Sequence, residues 1–214
     1  MLIVHPIAIF HSPFPTKFGI PRQAGVVSEI PGTIIFEKPF RTPDAIRGLE
    51  GFDFIWVIWQ AASTNSSPTV RPPRLGGNTR IGVFASRSPQ RPNPIGLSSV
   101  RIHHIDYDGP EAPVIHVEGA DIMDGTPILD IKPYIPYTDS HPEARAGFTD
   151  TTEWKPLKVV GTEDPVLRKI LEQDPRPHYH DDPDRIYGME YDGKDIHFKV
   201  SENTLTVIGM KDER

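Results

Sequence analysis

Short apolar runs, each closed by turn residues, recur along the chain at spacings that predict strands rather than long helices. Residues 2–10, 33–36, 81–84, 95–100 and 114–117 are apolar, rich in β-branched side chains, and bounded by Gly, Pro, Asn or Ser. The most hydrophobic run is FDFIWVIW at 52–59. Its length and aromatic content predict a central strand buried on both faces, with Trp56 and Trp59 in the core. Near the C-terminus, IHFKV and TLTVIGM predict two strands joined by a Ser-Glu-Asn turn. Helical spacing is confined to PVLRKILE at 165–172, where Val166, Leu167, Ile170 and Leu171 share one side and Pro165 stands near the start. Residues 43–49 predict one or two helical turns, with Thr42 as N-cap and Gly48 as terminator.

A composition shift near residue 141 divides the chain. Residues 1–140 read as a β domain, and residues 150–214 as a small α+β domain after a polar stretch. The 24 prolines are spread through the sequence, which favours a loop-rich β fold with stiffened connections over a helical bundle. The N-terminal MLIVHPIAIF lacks a basic leader and a cleavage site, so it reads as a first strand, and no apolar run reaches the ~18 residues of a membrane span. A soluble, cytoplasmic protein is expected.

The formal net charge of −6 excludes a protein that coats nucleic acid by bulk charge, but not a local basic face. Residues 71–101 form such a face: six arginines, with no Lys, Asp or Glu. The rigid SRSPQRPNP segment inside it offers guanidinium forks suited to phosphate or carboxylate. An acidic, turn-rich block follows, with Asp121, Asp124 and Asp130. A pocket between the two blocks fits a ligand carrying both signs, such as S-adenosylmethionine. Alternatively, the blocks salt-bridge each other.

Other chemistries find less support. There is no cysteine, hence no disulfide, thiolate metal site or Cys nucleophile. The nine histidines lack a zinc signature; His103 and His104 are expected on alternate faces of a strand, and HYHDD at 178–182 is at most an adventitious ion site. Phosphate-binding loops, the dinucleotide fingerprint and a nucleophile elbow are missing. No metal and no membrane partner are expected.

PRQAG at 21–25, RGLEGFDFIWVI at 47–58, RPPRLGGNTRIGVFASRSPQRPNPIGLSSV at 71–100, DGTPILDIKPYIPY at 124–137 and LEQDPRP at 171–177 together resemble the TsaA-like family. Its bacterial members are β-barrel tRNA methyltransferases acting on N6-threonylcarbamoyladenosine beside the anticodon. The resemblance spans nearly the whole chain, and LEQDPRP is similar to the extra C-terminal domain of those members. It implies a mainly β fold with a small antiparallel barrel core, a homodimer, S-adenosylmethionine as methyl donor, and tRNA as partner.

Carried over by motif, the cofactor-contacting positions are Ala24, Gly25, Val26, Arg87, Leu97, Glu118, Gly119, Ala120 and Asp121. One departure stands out: where the family often has a His after the aromatic strand, this chain has Ala62 and Ser63. The acylated target nitrogen is a poor nucleophile and needs a proton acceptor, for which Asp121, Asp124 and Tyr134 are candidates in that order. Arg91 and Lys132 are candidates for the substrate's phosphate or threonyl carboxylate, and Arg80 and Arg91 for tRNA docking. The other reading is a cofactor- or nucleotide-binding module without catalysis of its own.

Overall fold

A computed structural model describes residues 3–62, 66–76, 79–177 and 182–212. Strands β1 (Ala8–His11), β2 (Pro31–Phe36), β3 (Phe54–Gln60), β4 (Thr69–Val70), β5 (Ile81–Gly82), β6 (Ile95–Asp106), β7 (Val114–Glu118) and β8 (Thr126–Pro133) make up the first two-thirds of the chain. Six of them close into an antiparallel barrel in the order β1-β2-β7-β6-β3-β8, while β4 and β5 pair separately.

Alternation fills the interior. Ala8, Phe10, Ile34, Phe36, Ile55, Val57, Val100, Ile115, Val117 and Ile128 point inward and are buried, as the period of two requires. A closed barrel has only one interior, so β3 is not buried on both faces. Its inward residues Ile55 and Val57 are buried, while Phe54 on the outside is exposed. Trp59 packs against the core, whereas Trp56 lies outside, donating from Nε1 to Asp139 at 3.0 Å.

The register leaves an opening at one end. Arg101 of β6 sits opposite Glu118, the last residue of β7, so residues 95–100 run on past β7 with only β3 beside them. The segment 119–125 crosses back over that end to reach β8. Among the shorter elements, IGVF yields only two strand residues and then a tight turn at Val83–Ala85. Residues 43–46 make a single 3-10 turn, without a side-chain bond from Thr42. His103 and His104 do not alternate cleanly, because the ladder slips between Ile102 and His104. Their rings touch, and His104 stacks on His116 with centroids 4.2 Å apart.

Single helical turns α1 (Pro136–Asp139) and α2 (Phe148–Thr151) lead to the second unit. There β9 (Lys158–Val160), β10 (Tyr187–Tyr191), β11 (Lys194–Ser201) and β12 (Thr204–Asp212) form a sheet in the order β10-β11-β12-β9. Helix α3 (Pro165–Glu172) matches its predicted bounds, capped by Asp164, whose carboxylate accepts from Val166 N and Leu167 N at 2.9 and 3.0 Å. Its Leu167, Ile170 and Leu171 are buried. The parallel strand β9 carries too short an apolar run to be recognised in the sequence.

The second core is not built from C-terminal residues alone. Phe14, Val27 and Ile30, from the β1–β2 connection, are buried in it beside Ile170, Leu171, Met189 and Phe198. Asp192 N donates to Pro13 O at 2.9 Å, and Lys169 pairs with Glu29. No helix among the described residues is long and apolar enough to cross a membrane.

Candidate active site

The open end of the barrel gathers most of the predicted cofactor positions. The β1–β2 connection brings in Gln23, Ala24 and Gly25; the β7–β8 connection brings in Gly119, Ala120 and Asp121. The two are joined by Gly25 N donating to Gly119 O at 2.7 Å. Both glycines have positive φ, +77° and +75°. A Cβ on Gly119 would stand 3.4 Å from Gly25 Cα, an ordinary contact, so it is the left-handed backbone that favours glycine there. From the arginine-rich loop, Arg87 donates to Gln23 Oε1 at 3.0 Å.

Asp121 is the centre of the cluster. Its Oδ1 accepts from Ser98 Oγ at 2.5 Å, and Ser98 Oγ in turn accepts from Trp59 Nε1 at 3.0 Å. Burial pushes the Asp121 carboxyl above the usual carboxylate range. The Ser98 hydroxyl, the backbone N–H groups of Asp121 and Ala24, and the charge of Arg87 act the other way without cancelling it. A carboxylate so held is a ready proton acceptor, and the charge of Arg87, whose guanidinium bonds Gln23, acts on it from nearby.

The remaining predicted residues are placed differently. Val26 (43 % exposed) and Leu97 (48 % exposed) flank the cluster with apolar surface. Glu118 turns outward toward His103, 3.9 Å from its Nε2. Ala62 follows the end of β3, where Ala61 N donates to Pro94 O at 2.8 Å; Ser63 lies outside the described residues, as do residues 178–181 of HYHDD. Asp124 is occupied in fastening its turn: Oδ1 accepts from Ser12 N at 3.1 Å and contacts His11 Nδ1 at 3.1 Å. Tyr134 packs on Phe54 and Trp56, outside the barrel, and its N–H bonds Phe54 O. Phe54 is five strand positions from Trp59, roughly 17 Å at strand rise, so Tyr134 is not gathered with Asp121 within one chain. Lys132 pairs with Asp130 at 2.9 Å on the same outer wall. Arg80 holds Thr69 Oγ1 at 2.6 Å, and Arg91 reaches Ser86 O and lies 5.8 Å from the Phe84 ring.

Against known proteins, residues 9–140 match the family model described as the tRNA-methyltransferase O N-terminal domain. Residues 148–213 match the TrmO C-terminal domain. The chain belongs to the TrmO family. It is 33% identical over 226 residues to the Escherichia coli K12 protein named tRNA (adenine(37)-N6)-methyltransferase, covering 96% of each chain. A Pseudomonas aeruginosa protein named putative S-adenosylmethionine-dependent methyltransferase RcsF is 39% identical over 217 residues, covering 91% of each. Its fold is similar to a crystal structure of TrmO from P. aeruginosa, with TM-score 0.79 at 31% identity over 99% of this chain and 97% of that one.

Two residues of this TrmO-family site escaped the sequence reading. Ser98 sits in an apolar run, and Trp59, read only as core, also donates to Ser98. The signal was present in the alternation: Gly96, Ser98 and Val100 occupy the inward side of β6, and a hydroxyl there needs a partner. Gly96 has its own reason. A Cβ at that position would lie 2.1 Å from the Trp59 ring. Gly96→Ala is expected to displace Trp59 and destabilise the fold by about 1–3 kcal/mol, read as a lower urea midpoint. An unchanged midpoint would mean that the ring has free room to move.

Proposed function

We infer that this chain is an S-adenosylmethionine-dependent methyltransferase acting on N6 of adenine 37 of tRNA, and that its preferred target already carries a threonylcarbamoyl group on that nitrogen. Family membership and the names of the relatives support the first part. The observation that carries the reading is the convergence of separate loops on one half-buried carboxylate, Asp121, with the charge of Arg87 acting on it.

These residues suit the cofactor. A sulfonium and an ammonium call for a negative wall and a carboxylate for a positive one, which Asp121 and Arg87 supply. The bare backbone at Gly25, with open space on its Cβ side, lets a flat ring approach closely. When bound, S-adenosylmethionine supplies the methyl group: the carbon–sulfur bond breaks as the carbon–N6 bond forms, leaving a neutral thioether. Asp121 accepts the proton that leaves N6, Ser98 and the Ala24 N–H hold its carboxylate in place, and the loops across the barrel end keep water from it. The two other proton-acceptor candidates fit less well, Asp124 because its carboxylate is engaged and Tyr134 because of its remoteness.

We assign residues 1–140 the chemistry, and residues 150–214 the support of the PRQAG loop together with contact to tRNA. Asp174 in LEQDPRP is clamped by Arg176 through bonds of 2.9 Å to each oxygen, and its charge acts on Arg22 of that loop. Exposed Val26, Ile95 and Leu97 beside the site favour a homodimer that covers them. A tRNA substrate supports a cytoplasmic location. The deciding assay offers labelled S-adenosylmethionine with tRNA bearing or lacking the threonylcarbamoyl group. Transfer to the modified tRNA alone is expected. Equal transfer to both removes the finer substrate, and binding of the cofactor without any transfer favours a binding module.

A further inference from the structure

We propose that Ser98 is a positioning residue that fixes the protonation and orientation of Asp121, with Trp59 setting the direction of its hydroxyl. Ser98 is 2 % exposed and sits on the inward side of β6. Its oxygen accepts from Trp59 Nε1–H at 3.0 Å. The indole can only donate, so this bond has one possible direction. The hydroxyl therefore offers its single proton onward, and Asp121 Oδ1 takes it at 2.5 Å. A protonated Asp121 could still accept on Oδ1 with its proton on Oδ2, but a neutral carboxyl oxygen takes the serine's hydrogen bond less strongly than a carboxylate does. The relay thus favours the ionised carboxylate in a place where burial favours the neutral acid.

Trp59 is held in turn by the bare Gly96, over which its ring lies. The relay runs from β3 through β6 to the β7–β8 connection, so the barrel wall itself sets the acceptor. The other groups facing Asp121 are its own N–H, the N–H of Ala24 and the Arg87 guanidinium. All of them stabilise the anion, but none fixes the carboxylate from inside the barrel.

The inference rests on the reading of Asp121 as proton acceptor, and two measurements keep them apart. The first follows the titration of Asp121 by carbon NMR of labelled aspartate in the cofactor-free protein, assigned with Asp121→Asn. The second is the pH–rate profile of methyl transfer. Ser98→Ala is expected to raise the Asp121 midpoint, move the acid limb of the rate profile upward with it, and lower the rate at neutral pH on the order of tenfold. Ser98→Thr restores both, and Trp59→Phe, which keeps a ring over Gly96, shifts both less and in the same direction. An Asp121 midpoint unmoved in Ser98→Ala and Trp59→Phe, with native-like spectra, overturns the proposal. A midpoint that moves while the rate limb stays still upholds the relay and removes Asp121 as the proton acceptor.

Discussion

Asp121→Asn abolishes methyl transfer while leaving a chain that is more resistant to unfolding at neutral pH. Loss of a proton acceptor costs on the order of 10²–10⁴ in kcat. The amide keeps the shape of the carboxylate and can still accept from Ser98, so the fold survives. The stability change follows from the direction of the Asp121 shift. Its carboxyl lies above the ordinary range in the folded chain because it is buried. Its contribution to stability is therefore complete below the ordinary carboxylate pKa and is lost as pH rises through the raised value. The amide lacks that penalty, so the variant gains on the parent at pH 7 and the gain disappears in acid. Urea melts of both at neutral and acidic pH check this. A variant less stable than the parent at neutral pH would show that the carboxylate is stabilised by its partners more than it is penalised by burial. Calorimetry adds one distinction: a small loss of cofactor affinity beside a large loss of kcat fits a carboxylate that is both negative wall and proton acceptor, whereas activity lost only through weakened affinity would assign Asp121 to holding the cofactor alone.

Phe14→Ala is expected to remove about 3–5 kcal/mol of stability, the range for truncating a buried phenylalanine. The ring is fully buried and lies 5.2 Å from that of Tyr191. The same residue's carbonyl accepts from Asp124 N at 2.8 Å, so it ties the second core to the turn after Asp121. Activity should fall along with stability, because the β1–β2 connection also carries Ala24 and Gly25. Urea unfolding followed at Trp56 and by hydrogen exchange of the α3 backbone amides reads the two units separately, and both probes are expected to shift together. A loss under about 1 kcal/mol, or a shift in only one probe, would mean that the connection is loosely docked.

Five of the six barrel strands and α3 were legible because their patterns are local, whereas β8 lies in the block read as turn-rich. Alternation in residues 114–117 and the Pro165 start of α3 need no knowledge of distant partners. The error at β3 has a physical origin: an aromatic, β-branched run reads the same whether its outer face meets another layer or only Tyr134 and α1. For the site, Arg87, Ala24, Gly25, Gly119 and Asp121, which the motifs single out, lie in one cluster in the structure. Lys132 and Tyr134 lie on the outer wall, away from this cluster; charge and position in a motif do not say which side of a barrel wall a residue occupies. Ser98 and Trp59 required the register between β3 and β6, which no single stretch of sequence contains.

The shared β1–β2 connection also bears on how this protein can be divided. A cut between residues 140 and 148 severs no strand pairing, yet it strips Phe14, Val27 and Ile30 of their cover and leaves the other piece with a hollow centre. Neither fragment would be expected to stay in solution by itself. Made side by side, the two halves have matching greasy surfaces and every reason to find each other again, which makes this junction a natural place to build a split reporter.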